Sequence, residues 1–264
     1  MPAGGVCLIG NFCVDLILRG VSRLPEWGQE VAGDDHVLVS SGQTTYTAFA
    51  LAALGEPVAV IGCVGEDSWG EQIRADLEAA GVDASGLEIV PGGRTALTVA
   101  VVRPDGERAF LSDFACLAHA EETVIARHWD LVESAGLVGL LGVFSWPGLS
   151  LARTAPLLAR ARRSGKTTML DTGWDPEGWT APTIAALQGL LTQVSIFLPN
   201  LDEARAITGA AGAAEAARAL SALGPETVVV KLGREGSIAR AGGREVRQPA
   251  LPAEVVDTVG AGDV

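Results

Sequence analysis

Chemistry is concentrated at the end of this sequence, in the run Gly260-Ala261-Gly262-Asp263. Two glycines flanking an alanine let successive backbone N–H groups approach an anion with no side chain in the way. A carboxylate directly behind them stands where a general base reaches a hydroxyl beside that anion. Phosphoryl transfer needs both parts, charge neutralisation on the moving group and a base for the incoming hydroxyl. The amides of Gly260, Ala261 and Gly262 are candidates for the first and Asp263 for the second. A helix starting here would add its dipole. Taken alone, the same four residues equally fit a glycine-rich turn ending in a capping aspartate.

Such a turn needs a scaffold. The chain has 264 residues, 48% of them hydrophobic and only 19% charged, enough for a sizeable core in one large domain with or without a small appendage. A net charge of −13 argues against nucleic acid or an anionic membrane as partner, because either needs a basic face. Cys7, Cys13, Cys63 and Cys116 lack C-x-x-C spacing and read as reduced thiols of a cytoplasmic protein. No basic-headed leader precedes the first strand-like run, and no apolar stretch approaches the ~20 residues that span a bilayer.

Continuously apolar runs at Val6–Ile9, Val58–Val64, Leu137–Leu141, Thr168–Leu170, Ser195–Leu198 and Thr227–Leu232 alternate with Ala/Leu-rich amphipathic stretches. That rhythm predicts an α/β fold, a three-layer Rossmann-like core with a mostly parallel sheet covered by helices on both faces. Trp69, Ile73 and Leu77 form one stripe of a helix over Ser68–Ala80, with Ser68 as N-cap and Gly81 as the stop. Arg205–Leu223 reads as two helical pieces broken by glycine. Asp15–Val39 and Arg94–Asp113 break the rhythm with β-type runs, the second turning at Pro104-Asp105-Gly106. They predict a small β-sheet lid from 15–39 and 94–113, with 1–14, 40–93 and 114–264 as the core that binds nucleotide and substrate.

With its upstream companions, the terminal motif Asp257-Thr258-Val259-Gly260-Ala261-Gly262-Asp263 resembles the second signature of the ribokinase-like (PfkB) carbohydrate kinases. Gly10-Asn11 followed by Asp15, read as a strand end, is similar to the family's first substrate segment. Ser41-Gly42-Gln43-Thr44-Thr45-Tyr46-Thr47-Ala48, then Leu54-Gly55 and Gly62 to Gly70, is similar to its first signature. Pro199-Asn200-Leu201-Asp202-Glu203 matches its Asn-x-x-Glu motif, and Val230-Lys231-Leu232-Gly233 with Gly236 resembles the strand and loop that pass the nucleotide. The resemblance covers nearly the whole chain. It implies ATP and Mg²⁺ as cofactors and a sugar or sugar acid as the hydroxyl acceptor. Asp15, Gly42, Gln43 and Tyr46 would bind the substrate, and Asn200, Lys231, Gly233 and Gly236 the nucleotide. Glu203 would hold Mg²⁺ through water, and the lid would offer a face for homodimers. It also implies that Gly262-Asp263 opens a helix followed by further helices. A chain stopping at Val264 is therefore expected to phosphorylate poorly or not at all.

The chain also departs from the family pattern. Ser41 and Tyr46 stand where the first signature usually has glycine and asparagine, and Cys13 stands where ribokinase has asparagine. Tyrosine brings bulk and one hydroxyl in place of an amide with donor and acceptor. A substrate of different shape from ribose is expected. A second phosphate on that substrate would find only Arg94 and Arg108 beside the lid hairpin, so an unphosphorylated acceptor is expected. Phe12, Tyr46 and Phe110 keep a nucleoside acceptor open, and the altered first signature keeps a non-catalytic sugar or nucleotide binder open. Trp146 and Trp174 follow core strands at the ligand-binding edge, where they suit core packing or sugar stacking.

Overall fold

The computed structural model describes residues 4–253 and 259–264, so Asp257 and Thr258 of the terminal motif lie outside the described residues. β1 (Val6–Gly10) opens a large sheet, which β2 (Cys13–Arg19) and β3 (Asp35–Ser41) leave for a second, smaller one. After helix α1 (Gln43–Ala53) the chain returns through β4 (Val58–Gly65), α2 (Ser68–Ala79) and β5 (Asp83–Val90), then leaves again as β6 (Ala96–Val102) and β7 (Arg108–Asp113). The short helices α3 (Thr123–Arg127) and α4 (Trp129–Ser134) lead to β8 (Leu137–Leu141), and α5 (Leu151–Arg163) to β9 (Thr167–Asp171). α6 (Ala181–Leu191), β10 (Ile196–Phe197), α7 (Leu201–Thr208) and α8 (Ala213–Ser221) follow, and β11 (Thr227–Lys231), β12 (Ser237–Ala241) and β13 (Arg244–Gln248) complete the large sheet.

Among the described residues the large sheet has nine strands in the order β13-β12-β11-β10-β9-β8-β1-β4-β5. It is parallel from β11 to β5, and β12 and β13 are added antiparallel at one edge. All eight residues of β4 are buried, as a continuous apolar run between two helical layers requires. Alternation divides the core between the two faces: Cys7, Ile9, Ala59 and Ile61 join one apolar cluster, Leu8, Val58 and Val60 the other. All four cysteines are free and buried. No helix among the described residues is long and apolar enough to cross a membrane.

The small sheet has the order β3-β2-β6-β7, two antiparallel hairpins joined by parallel pairing of β2 with β6. The α/β core with its small mixed sheet is the architecture expected from the sequence. Several boundaries differ. The N-cap of α2 is Asp67 rather than Ser68, because the Asp67 carboxylate accepts from Gly70 N at 2.9 Å and also from Thr95 N at 2.7 Å. α7 starts at Leu201 with Asn200 as its cap, so the first helical piece begins ahead of Arg205. Asp15 lies within β2, where it pairs with Val39 and Thr98, and not at the end of a core strand. Residues 259–263 form a turn closed by Asp263 N to Gly260 O at 2.9 Å.

Candidate active site

Carboxyl ends of parallel strands converge where the chain switches direction, and in open α/β sheets that rim is where ligands bind. Here β1 delivers Asn11, β9 delivers Asp171 and β11 delivers Lys231, while α1 and α7 start at the same rim. Gly42 caps α1 at φ 106°, and a Cβ there would stand 2.5 Å from the carbonyl oxygen of Asn11, so only glycine lets α1 start this close to β1.

The terminal turn docks on α1. Gln43 Nε2 donates to Asp263 Oδ1 at 3.1 Å, and Thr47 Oγ1 donates to the Asp263 carbonyl at 2.6 Å. Gly260, at φ 73°, lies on the Tyr46 ring so closely that a Cβ would stand 2.8 Å from it. Gln43, Tyr46 and Thr47 occupy positions i, i+3 and i+4, one face of the helix. From the other side Lys231 Nζ donates to the Gly262 carbonyl at 3.0 Å and to Asp171 Oδ2 at 2.5 Å. Among the described residues no acceptor takes the N–H of Ala261 or Gly262, so those amides are free for an anion.

Charge is concentrated around this turn. Burial, with the negative charge of Asp171, pushes Asp263 up to about 6, while the Gln43 hydrogen bond, Lys231 and Arg108 hold it back. Asp263 therefore stays mostly ionised at pH 7 while remaining a usable proton acceptor. Glu203 is pushed up to about 7, first by burial and then by Asp171. Asp171 is raised by burial, and the Lys231 ammonium opposes that rise. Asp15, 5% exposed, is also raised by burial and held back by hydrogen bonds from Ser41, Cys13 and Tyr46. Cys13 Sγ lies 3.5 Å from Asp15 Oδ1.

Asn200 and Glu203 form a reciprocal capping box: Glu203 N reaches Asn200 Oδ1 at 2.9 Å, and Asn200 N reaches Glu203 Oε2 at 2.9 Å. Asn200 Nδ2 takes the remaining Glu203 oxygen at 2.8 Å. Both oxygens of Glu203 are thus engaged by the Asn200 cap. Asp171 Oδ1, by contrast, is buried without a hydrogen-bond partner. Among the described residues no three His, Cys, Asp or Glu side chains converge as a metal cage. This donor set fits magnesium, which keeps its waters and arrives on substrate phosphates.

The structure thus brings Gln43, Tyr46, Lys231 and Asp263 together at the turn, with Asp15 in contact with Tyr46 and Asn200–Glu203 across the rim. Gly233 and Gly236 lie beyond Lys231, in the bend between β11 and β12. Phe12 is fully buried in the core and unable to cover a base, and Trp146 is likewise buried with Nε1 on the Ala120 carbonyl at 2.7 Å. Trp174 is exposed, edge-on to Trp179. Arg94 is paired with Asp113 at 3.1 Å. Asp171 and Thr47 were not singled out from the sequence. An aspartate ending an apolar run at the ligand rim was a usable signal for the first. Thr47 lies within the first-signature stretch, with nothing there to mark it as a partner of Asp263.

A family model described as pfkB family carbohydrate kinase matches residues 5–264. The chain is 30% identical over 258 residues to an ATP-dependent ribose-1-phosphate kinase of Halopiger xanaduensis, covering 96% of this chain and 79% of that protein. It is 24% identical over 261 residues to a ribokinase of Haemophilus influenzae, covering 97% and 81% respectively. The structure of an Arabidopsis thaliana ribokinase complexed with ribose and ATP superposes with a TM-score of 0.79 at 24% identity, over all of this chain and 83% of that one. The chain belongs to the pfkB family of carbohydrate kinases, within the ribokinase-like group of ATP-dependent sugar and nucleoside kinases.

Proposed function

We propose that this protein transfers the γ-phosphoryl group of ATP to a hydroxyl of an unphosphorylated sugar or sugar acid. The observation that carries the reading is the Asp263 carboxylate, fixed directly behind amides that no internal acceptor claims. Asp263, ionised above about pH 6, takes the proton of the acceptor hydroxyl as that oxygen attacks phosphorus in line. The amides of Gly260, Ala261 and Gly262 receive the charge that develops on the transferring group. Asp15 and Gly42 orient the acceptor beside Tyr46. The small sheet acts as a lid that excludes water, and its exposed Leu38 and Leu111, in one cross-strand row, offer a face for a second copy.

Asn200, Lys231, Gly233 and Gly236 form the nucleotide side, with the Lys231 ammonium bringing positive charge to the turn. Magnesium, when bound, neutralises phosphate charge, and Glu203 would hold it through water. Nucleotide chemistry and four free thiols suit the cytoplasm.

The test is ADP release by the 264-residue chain with ATP, magnesium and a panel of sugars, sugar acids, phosphosugars and nucleosides, each repeated with Asp263→Asn. Wild type serves as its own reference, so a slow enzyme still reports the loss. The variant should lose about 100-fold or more in kcat, the usual worth of a general base, with nucleotide binding nearly intact. Undiminished turnover in Asp263→Asn removes the base from the mechanism. Best turnover with a nucleoside or phosphosugar moves the acceptor class. Ligand binding without transfer to any acceptor identifies a binding protein.

A further inference from the structure

Gln43 follows the capping glycine of α1, where the family resemblance implies a substrate contact. Its donor end is committed elsewhere, to the Asp263 carboxylate at 3.1 Å. The other end of the amide, Oε1, is buried without a partner, and a Cβ on Gly142 or Gly173 would stand 2.9 or 2.7 Å from it. Those two glycines close in on the amide and limit its freedom to turn away. One helical turn on, Thr47 holds the main chain of the same aspartate. A carboxylate can only accept, so the amide nitrogen must face it, and Oε1 is left pointing back into the rim beside Asn11 Oδ1, also buried and unpaired.

We propose that Gln43 is a positioning residue for the base. Its side-chain N–H holds one oxygen of Asp263, so that the other is presented to the acceptor hydroxyl, and Thr47 fixes the backbone from which the carboxylate hangs. The inference rests on Asp263 being the base. It adds that the first signature segment serves the reacting carboxylate directly, in addition to the acceptor. A donated hydrogen bond also favours the charged form of the carboxylate. The titratable and charged groups around Asp263 are Asp171 on β9, Lys231 on β11, Glu203 on α7, Tyr46 on α1 and Arg108 on β7. Gln43 also helps to hold the Asp171 carboxylate ionised, so the Asp171 signal is followed beside that of Asp263 in each variant.

The experiment uses the full chain with ¹³C-labelled aspartate carboxyls, the Asp263 signal being assigned by its loss in Asp263→Asn. Gln43→Leu removes the donor, and Gln43→Glu keeps size and packing but places a like charge against Asp263. The Asp263 titration midpoint should rise in Gln43→Leu and further in Gln43→Glu, an ordering that a purely space-filling role does not produce. In turnover, kcat at pH 7 should fall about 10- to 100-fold, the worth of a hydrogen bond to a charged group, with KM for ATP nearly unchanged. The acid limb of the pH profile should move to higher pH in the same order. An Asp263 midpoint equal to wild type in both variants overturns the proposal, as does unchanged kcat. If wild type transfers phosphate to no acceptor, the kinase reading fails, and the carboxyl titration still decides the contact.

Discussion

The two sides of the rim are built by different means. Asp15, on the acceptor side, belongs to a strand paired on both edges, with Val39 opposite on β3 and Thr98 on β6. The backbone ladder of the small sheet fixes it. The Gly260–Asp263 turn, on the phosphate side, belongs to no sheet or helix. Its tethers are side chains: Gln43, Thr47 and Lys231 by hydrogen bonds, and Tyr46 by the contact of its ring with Gly260. Substitutions on the acceptor side should therefore cost stability first. Substitutions at Gln43 and Thr47, tethers that α1 supplies, should cost catalysis with little loss of fold.

The sharpest break between the two sides comes from two glycines. Gly42→Val puts a β-branched residue at φ 106°, with its Cβ 2.5 Å from the Asn11 carbonyl. It should cost about 3 kcal/mol and lower Tm by about 10 °C. At Gly262 an added Cβ meets nothing within 4 Å. Gly262→Ala should leave Tm within about 1 °C, as a surface exchange does, while crowding the anion and lowering kcat. Thermal melts of the two variants beside wild type check the contrast. Equal losses of Tm would erase the distinction between ladder-built and tether-built sides.

What the sequence made legible follows the same division. Continuously apolar runs such as Val58–Val64 announce buried strands, and the two β-type interruptions announce the small sheet, because burial pattern is local in sequence. β13, with all five of its residues exposed, and the mixed run of β5 carry no such pattern and went unmarked. The glycine-aspartate run was legible because its chemistry is contiguous. The direction of the Gln43 side chain was not, since its partner lies 220 residues away. Asp171 ends an apolar run, a usable signal, but its pairing was hidden for the same reason, with its partner Lys231 60 residues on. Trp146 and Trp174 look alike in sequence, and only packing separates them, one buried in the core and the other exposed at the rim.

Lys231 joins the two kinds of construction, because it tethers the turn and also neutralises the buried Asp171. Lys231→Met leaves that carboxylate uncompensated. The loss should be about 2 kcal/mol, below the range for a fully buried pair because water still reaches the lysine. The sign with pH follows from Asp171, which is raised by burial even with its partner and rises further without it. The deficit against wild type should be largest at pH 7 to 8 and shrink as acid protonates Asp171. Urea melts at pH 7.5 and 5.5 measure it, and a pH-independent deficit would mean that the pair carries little charge coupling.

Acid should separate stability from activity in the wild type as well. Asp263 near 6 and Glu203 near 7 both stand above their unfolded values of about 4. Between those limits the folded state binds protons that the unfolded state has released, so their contribution favours folding as pH falls. From pH 8 to 5.5, Tm should rise by a few degrees, while kcat falls as Asp263 loses its charge. The double variant Asp263→Asn, Glu203→Gln should flatten the Tm profile. A wild-type Tm that falls steadily over the same range would show that other groups dominate the linkage.

Thr47→Val should have the smallest effect and test the tether idea most closely. Valine keeps the volume and loses the hydroxyl that reaches the Asp263 carbonyl at 2.6 Å. The same hydroxyl lies 2.9 Å from the Gln43 carbonyl one turn back, so its single proton is shared between two carbonyls, and helices readily do without the second contact. Stability should therefore change by no more than about 0.5 kcal/mol. The carboxylate keeps its Gln43 contact, so the pH limb set by Asp263 should stay in place while kcat falls only a few-fold. Combined with Gln43→Leu, the loss should exceed the product of the two single losses, because each tether limits the freedom left by the other. Losses that simply multiply would mean that the two side chains act on Asp263 independently, and that α1 offers two separate contacts instead of one clamp.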